Sequence, residues 1–474
     1  MSDRRTGLLH GLVHNRVAPA DVLLRLLGQE DEGVRREVAR RAALPQEVIE
    51  AVLVHPDRRV RMAFAENAAA DPEQRARLVD DPSNSVHLSL AVGPMPYRNP
   101  VPPLPDWAYE RLLNHPQALV RQELFNWGDR PPVHVLVGLA DHEDPLFRLA
   151  ACQGAWNELP DGARQRLLHD EDREVRLAAA EQVCPEDEER TAWLIGELDG
   201  SWRLSDVLRT GRLTRELAER LVAESDRRAT IAGNPSLPPD LVARLAVDPD
   251  PAVRLVVSAR AELSEADRAA IDHTVNAEAR LGTLDWVWER REDADFLRQC
   301  ARSAHTWLRR SAAVCPGLPA DAVDLLAGDA DFAVRLLLAE FNPAPPPELL
   351  LDLYLNGTHR AVGMLTTRPG FPFAGLAARF GDSPDPVRRR PALRDPGLEP
   401  ELLDRFTRDP ETRSTAARDP RLPVARVREL LDDPDENTAA AAAANPALPP
   451  EDMRRVLDRA GVPEIRVNDR TSDC

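Results

Sequence analysis

The residues Asn234–Glu262, which read NPSLPPDLVARLAVDPDPAVRLVVSARAE, decide the fold class of this chain. Pro238 and Pro239 are suited to a first helical turn, where a missing N–H is no loss, and apolar residues follow them at the spacing of one helix face. This helix must end before Pro249, because the residue before a proline is pushed out of the helical region. Asp250 can then cap a second helix that also begins with proline. The stretch therefore predicts two short helices joined by a tight turn.

The same pattern returns along most of the chain. A Val-Arg pair recurs in the second helix, and a Leu-Pro step or its equivalent stands 16 residues before most of these pairs. A fixed period of about 20–50 residues is the mark of a stacked repeat array. Helices of roughly ten residues are too short to be stable alone, so each pair must stack on its neighbours. The pairs begin at Val34, Val60, Val120, Val175, Val253, Val334 and Val387, and Val86-His87 occupies an equivalent position.

We therefore predict an all-α fold, an α-solenoid (superhelix) of about seventeen short helical-pair repeats. The repeats occupy residues 18–458, and an amphipathic N-terminal capping helix is expected at residues 1–17. Residues 459–474 lack the pattern and are expected to form a flexible C-terminal tail. Residues 92–103 enlarge one repeat, and such an insertion can be either a binding loop or an inert connector.

The repeat unit resembles two related families. Asp-Pro-Asp followed by Val-Arg resembles the second helix of a HEAT repeat, and the whole unit resembles the leucine-rich repeat variant family. The resemblance covers about residues 18–458 and is most specific at Asn234–Arg260, Cys315–Leu338 and Asp419–Asp452. It implies alternating short helices in an armadillo- or HEAT-like superhelix. One form of the variant family carries an iron–sulfur cluster on N-terminal cysteines, but the first cysteine here is Cys152, so no cofactor is expected.

The residue types and the charge exclude several kinds of chemistry. All 61 basic residues are arginine, which excludes a Walker A lysine, a Schiff-base lysine and a Ser-Lys dyad. The net charge is −18, and residues 91–385 hold about −15 of it. An acidic surface disfavours nucleic acid, whose binding depends on the neutralisation of phosphates.

Neither a membrane span nor secretion is predicted. No stretch approaches ~18 uninterrupted apolar residues, and the N-terminal residues lack the apolar core of a signal peptide. Five scattered cysteines argue against a disulfide framework and fit a reducing compartment. We expect a cytoplasmic protein.

Reactive residue types fall on repeat positions with a structural role. Cys184 and Cys315 precede a proline where Asn234 stands in its own repeat, which indicates a turn residue rather than a metal or redox site. Histidines also end first helices in places where other repeats have aspartate, a favourable position for the helix dipole. These histidines are His55, His115 and His169. No catalytic residue and no metal ligand is predicted.

The arginines of the Val-Arg pairs are expected to form a ladder. Aspartates in the preceding turns are placed to pair with them, and a repeated, half-buried network is worth more than isolated exposed pairs. A structural ladder is the favoured interpretation, and a ligand-binding stripe is the alternative. The resemblance to HEAT repeats places these helices on the concave side. The aspartates are Asp57, Asp172, Asp250 and Asp331, and the arginines include Arg35, Arg61, Arg176, Arg254 and Arg335.

All eight tryptophans fall between residues 107 and 307, where the repeats depart most from the pattern. Tryptophan is enriched at binding hot spots, but a large ring also fills gaps between irregular repeats, so both interpretations stay open. Acidic groups in the same region would steer a basic segment of a protein partner. The candidate binding residues are Trp202, Trp286, Trp288 and Trp307.

We therefore predict a non-catalytic repeat scaffold that mediates protein–protein interaction, with no cofactor and no membrane partner. The alternative is an enzyme that acts on nucleic acid, built on HEAT-like repeats as are the DNA glycosylases that remove alkylated bases. That alternative requires a basic groove with an aromatic and acidic pocket, and the sequence contains no basic stripe.

Overall fold

A computed structural model describes residues 2–95, 101–126, 131–276 and 281–464. Within these ranges all regular secondary structure is helical and no strand is present, which confirms the all-α prediction. The chain divides into two compact units. Unit 1 comprises Met1–Leu139 together with Ala374–Cys474, and unit 2 comprises Ala140–Phe373. Over the same described ranges, no helix combines the length and the apolar character needed to cross a bilayer.

The helices of unit 1 are short, and most of them alternate as first and second helices of a pair. In its described residues, the unit contains the 3-10 helix Arg77–Asp80. Its α-helices are Ser2–His14, Ala20–Leu27, Glu32–Ala39, Gln46–Leu53, Arg58–Ala65, Pro72–Ala76, Asn84–Val92, Asp106–Leu113, Ala118–Asn126, Val133–Val137, Leu376–Phe380, Pro386–Ala392, Pro400–Phe406, Arg413–Ala416, Val424–Leu430, Glu436–Ala443 and Pro450–Arg459.

Unit 2 is built in the same way, with less regular elements in its middle. Its 3-10 helices are Trp156–Glu158 and Arg360–Thr367. Its α-helices are Pro145–Ala155, Asp161–Leu168, Arg173–Val183, Glu188–Glu197, Leu204–Thr210, Arg215–Ala223, Arg228–Ile231, Pro239–Leu245, Pro251–Ser258, Glu265–Ala270, Asp285–Glu289, Ala294–Arg302, Thr306–Ala313, Ala320–Ala327, Phe332–Phe341 and Pro347–Asn356.

The helical pair predicted from residues 234–262 is present. Its helices are Pro239–Leu245 and Pro251–Ser258. The side chain of Asp250 accepts a hydrogen bond from the backbone N–H of Ala252 at 2.8 Å, which satisfies one of the free donors at the start of the second helix. The predicted cap at Asp250 and the helix starts at Pro239 and Pro251 are therefore confirmed, whereas Pro238 lies just before the first helix as its N-cap.

Neighbouring pairs contact each other in the same sense along unit 1. Second helices lie against second helices, as Glu32–Ala39 contacts Arg58–Ala65, which in turn contacts Asn84–Val92. First helices do likewise, as Ala20–Leu27 contacts Gln46–Leu53. Helices of this length cannot bury an apolar face alone, so each pair depends on the next.

Buried ion pairs join consecutive repeats. The guanidinium of Arg61 makes two hydrogen bonds of 2.6 and 3.1 Å to the carboxylate of Asp81, and both side chains are less than a tenth exposed. Arg148 makes the same contact with Asp170, both bonds being 2.7 Å. Each of these arginines thus binds an aspartate of the repeat that follows it in the chain.

The expected partners of the ladder arginines were therefore wrong in direction. Asp172 and Asp250 cap the helices that follow them and do not pair with the arginine of the same helix. Asp57 instead binds Arg35 of the repeat before it at 2.8 Å. Likewise Asp331 binds Arg310 of the preceding repeat at 2.8 Å. Which arginine an aspartate binds depends on how the repeats stack.

A buried asparagine at the end of a second helix provides another link between repeats. Asn67 donates hydrogen bonds to the backbone carbonyls of Ala39 and Arg41 in the preceding repeat, at 3.0 and 2.9 Å. Asn234 donates in the same way to the carbonyls of Leu208 and Gly211 at the end of the helix Leu204–Thr210, both at 2.8 Å. An asparagine amide suits this position because it offers two donors to carbonyls that have no water available.

The first described helix has an additional neighbour. Ser2–His14, which falls in the segment expected to cap the repeats, lies along Glu436–Ala443 within unit 1. Residues 465–474 of the expected tail and residues 96–100 of the expected insertion lie outside the described residues.

Candidate functional site

The four candidate tryptophans all lie in unit 2, and they differ in exposure. Trp202 is 81% exposed and sits in the turn between the helices Glu188–Glu197 and Leu204–Thr210. This turn requires Gly200, whose φ of 77° lies in the left-handed region that other residues rarely adopt. The turn thereby presents the indole ring to solvent instead of the repeat interior.

Trp202 borders a cleft of about 420 Å³. One wall carries Arg203, whose guanidinium binds the carboxylates of Glu181 and Glu174 at 2.7 and 2.9 Å. These hydrogen bonds raise the pKa of Arg203, so the guanidinium stays protonated. Its positive charge is balanced by the two carboxylates. The remaining lining residues are Gln153, Cys184, Asp206, Val207 and Thr210. The cleft is therefore half polar, with an aromatic ring at its edge. Sequence reasoning found the ring but not the cleft.

Trp286 is a packing residue. Its indole N–H donates to the carbonyl of Ala259 at 3.1 Å, and its ring lies 5.7 Å from that of Phe296. The ring is half-buried, and the guanidinium of Arg268 lies 5.7 Å from its centre. These contacts hold the ring between neighbouring elements and leave little of it for a partner.

Trp288 and Trp307 also differ from each other in exposure. Trp288 is 44% exposed, and the guanidinium of Arg291 lies 5.1 Å from its ring centre. Trp307 is half-buried and donates its indole N–H to the carbonyl of Gly282 at 2.7 Å. The cleft beside Trp202 is lined by none of the other three candidate rings. Trp202 and Trp288 are thus the candidates with an accessible ring.

A serine and a histidine in unit 2 are placed as in a nucleophilic dyad. His305 Nε2 lies 2.9 Å from Ser258 Oγ, and the imidazole is 2% exposed. However, Nδ1 of His305 accepts the backbone N–H of Trp307 at 3.2 Å, which puts the proton of the neutral ring on Nε2. The hydroxyl of Ser258 in turn donates to the carbonyl of Leu255 at 2.7 Å.

This arrangement cannot activate the serine. Because Nε2 carries the proton, His305 donates to Ser258 and has no lone pair there to accept the serine proton. Burial also lowers the pKa of His305 to about 3, which removes it from the range useful to a general base near neutral pH. The pair is a buried hydrogen-bonded link between elements.

Most of the histidines at the ends of first helices act as turn residues. Nδ1 of His55 accepts the backbone N–H of Asp57 at 3.1 Å, and His115 makes the corresponding bond. In other repeats a carboxylate such as that of Asp248 accepts the equivalent N–H. His169 does not belong to this set, because Asp170 takes the turn position and His169 is exposed.

The environment of the cysteines in the described residues makes their thiols unreactive. Cys184 and Cys315 are buried at turn positions, and burial raises the pKa of both thiols to about 11. A protonated, buried thiol is neither a good nucleophile nor a metal ligand. In the part of the chain that the structure describes, no three histidine, cysteine or acidic side chains converge as a metal site would require.

The two units differ in charge. Unit 2 contains 41 acidic residues and 27 arginines, so that it carries −14 of the total of −18. Residues 170–212, which surround Trp202 in sequence, contain 12 acidic residues and 6 arginines. Among the tryptophans that the structure describes, the most exposed one therefore belongs to the more acidic unit.

No protein-family model matches this chain, and no curated protein matches it. A functional assignment therefore depends on the chain's own residues.

Proposed function

We propose that this chain is a non-catalytic helical-repeat scaffold that binds a basic segment of another protein in the cytoplasm. The observation that carries the proposal is the 81% exposed ring of Trp202 at the edge of a cleft in the acidic unit. An exposed tryptophan offers a large rigid area at little entropic cost, and such rings are enriched at binding hot spots.

The proposed architecture is an α-solenoid of the leucine-rich repeat variant or HEAT type. The forward ion pair from Arg61 to Asp81 and the asparagine link from Asn67 to the preceding repeat support it, since both connect only nearest neighbours. Repeat arrays are stabilised by such nearest-neighbour interfaces and bind partners along extended surfaces. In this architecture the Val-Arg helices line the concave side.

The proposed recognition joins a cation to an aromatic face. A lysine or arginine side chain can lie over the face of Trp202, where the ring quadrupole attracts it. The excess of acidic residues over arginines around this turn favours approach of a positive segment and repels a phosphate backbone. Trp288, the other candidate with an accessible ring, offers a second exposed aromatic face within unit 2.

The test is an isothermal titration calorimetry experiment in which an oligo-arginine peptide is added to the full chain. We expect saturable binding that weakens as salt rises, because the attraction is partly screened. Trp202→Ala should weaken binding about tenfold, the loss typical of a hot spot. Val247→Ala is the matched control, since Val247 is 79% exposed in the same unit.

Three outcomes would count against the proposal. Binding could be absent, it could be indifferent to salt, or Trp202→Ala could behave as Val247→Ala does. Tighter binding of duplex DNA than of the peptide would favour an enzyme acting on nucleic acid instead. Circular dichroism of each variant shows whether its fold is intact.

A further inference from the structure

Small residues allow a close approach between two distant helices of unit 1. Ser2–His14 lies along Glu436–Ala443, and a Cβ added at Gly11 would overlap the carbonyl oxygen of Ala440. A Cβ added at Gly7 would lie 3.8 Å from the Cβ of Ala440, which is ordinary contact. The two helices therefore meet as closely as the absence of a side chain at residue 11 permits.

The hydrogen bonds at this contact have the register of an ordinary boundary between repeats. Asn67 donates to the carbonyls of residues 28 and 26 positions before it, and Asn445 donates to carbonyls at the same two offsets. Asn15 donates to Ala443 and Asn445 at 3.0 and 2.7 Å. These acceptors are also two positions apart. The repeat that contains Asn445 therefore stands to Asn15 as the preceding repeat stands to Asn67.

The outer helices at the same place follow the same rule. Ala20–Leu27 contacts Pro450–Arg459, just as first helices contact one another elsewhere in unit 1. The side chain of Arg25 is 7% exposed and binds the carboxylate of Asp458 at 2.6 Å. Both layers of helices thus continue across the contact between the two segments.

We infer that Pro450–Arg459 and Ser2–His14 are the first and second helices of one composite repeat. The former follows Leu448-Pro449, the step that begins first helices elsewhere, and the latter is followed by Asn15, the residue type that ends a second helix at Asn67. Residues 2–27 and 436–464 together form a clasp. Across the clasp, the repeats of residues 374–464 thus continue directly into those that begin at residue 2.

A disulfide across the clasp tests its closure within one molecule. The Cβ separation of 3.8 Å at residues 7 and 440 matches that of natural disulfides. The full chain with Gly7→Cys and Ala440→Cys should, on mild oxidation, form a bond between these residues in a species of monomeric mass. Peptide mapping identifies the bond, and the single Gly7→Cys variant is the control. Failure to form the bond, or its formation only between two molecules, would overturn the inference.

Substitution of Gly11 tests the packing of the clasp. Gly11→Leu must push the helices apart, so we expect the midpoint of thermal unfolding to fall by more than about 3 °C. Gly196→Leu is the matched control, because nothing lies within 4 Å of a Cβ at this helical glycine. Equal unfolding midpoints for the two variants would overturn the inference. A second measurement is hydrogen exchange at the backbone amides of residues 436–459. If these amides are protected equally in Gly11→Leu and in the unaltered chain, the inference is also overturned.

Discussion

The side-chain amide of Asn15 donates a hydrogen bond of 2.7 Å to the backbone carbonyl of Asn445, across 430 positions of sequence. Both asparagines are fully buried, so neither amide has water as an alternative partner. Asn445 donates in turn to Ala417 and Asp419, both at 2.8 Å. Residues from distant parts of the chain therefore belong to a single ladder of side-chain to backbone hydrogen bonds.

Loss of this amide should destabilise the protein as much as loss of the amide inside a regular repeat boundary. Asn15→Ala removes two buried hydrogen bonds to backbone carbonyls, a change that typically costs about 1–3 kcal/mol. Asn67→Ala removes the equivalent bonds between sequence neighbours and is the matched control. Urea denaturation should give similar shifts for the two variants. A shift for Asn67→Ala alone would show that the contact of Asn15 contributes nothing.

The buried pair of Arg61 and Asp81 should respond to single and double substitution differently. Arg61→Met leaves the carboxylate buried and unpaired, which typically costs about 3–5 kcal/mol, whereas replacing both residues by apolar ones recovers much of that loss. Arg215, whose pair with Asp240 is exposed, is the control and its change to Met should have little effect. The denaturation midpoints of the single variant, the double variant and the control measure these effects. An additive double variant would mean that the two side chains are not coupled.

Acid should destabilise unit 2 through His305. Burial, and then the nearby His273, Arg268 and Arg309, lower the pKa of His305 to about 3, against about 6.5 in an unfolded chain. Only the unfolded chain binds the proton between these values, so the contribution is complete above about pH 6.5 and is lost as the pH falls towards 3. His305→Gln should flatten the dependence of the urea midpoint on pH in that window. His134→Gln, which replaces an exposed imidazole, should not flatten it.

The buried thiols should be unreactive while the protein is folded. Burial raises the pKa of Cys152 and Cys300 to about 12, and that of Cys184 and Cys315 to about 11. In a Cys474→Ser background, Ellman's reagent should therefore give no signal near neutral pH until denaturant is added. A thiol that reacts in the folded state would show that its repeat opens on the time scale of the assay.

The helical pairs could be predicted because their signals are local. Pro251 and Asp250 are adjacent to the helix that they begin, so the cap and the first turn follow from neighbouring residues alone. The turn histidines were placed almost as well, with His169 assigned one position away from the true turn residue, Asp170. The sequence does not reveal a register error of one residue here, because either histidine or aspartate can occupy the turn position.

The contacts between repeats could not be predicted in the same way. Arg61 has Asp57 four positions before it and Asp81 twenty positions after it, and only the stacking of the pairs selects the second. The environment of each tryptophan also depends on stacking, because Trp286 finds a carbonyl of a preceding element while Trp202 follows a turn at Gly200. No local signal connects Asn15 with Asn445.

The clasp has a consequence for the order of folding. Most repeats of unit 1 can dock as soon as their sequence neighbour exists, but Ser2–His14, besides contacting Glu32–Ala39, packs against a face formed by residues 436–459. In an unfolded chain, closing a loop of this length costs roughly 2–3 kcal/mol more than closing one repeat, since the entropy grows only with the logarithm of length. Such a non-local contact is slow to form nonetheless. The contact between Ser2–His14 and residues 436–459 must thus wait until the more than 400 residues between them have been synthesised.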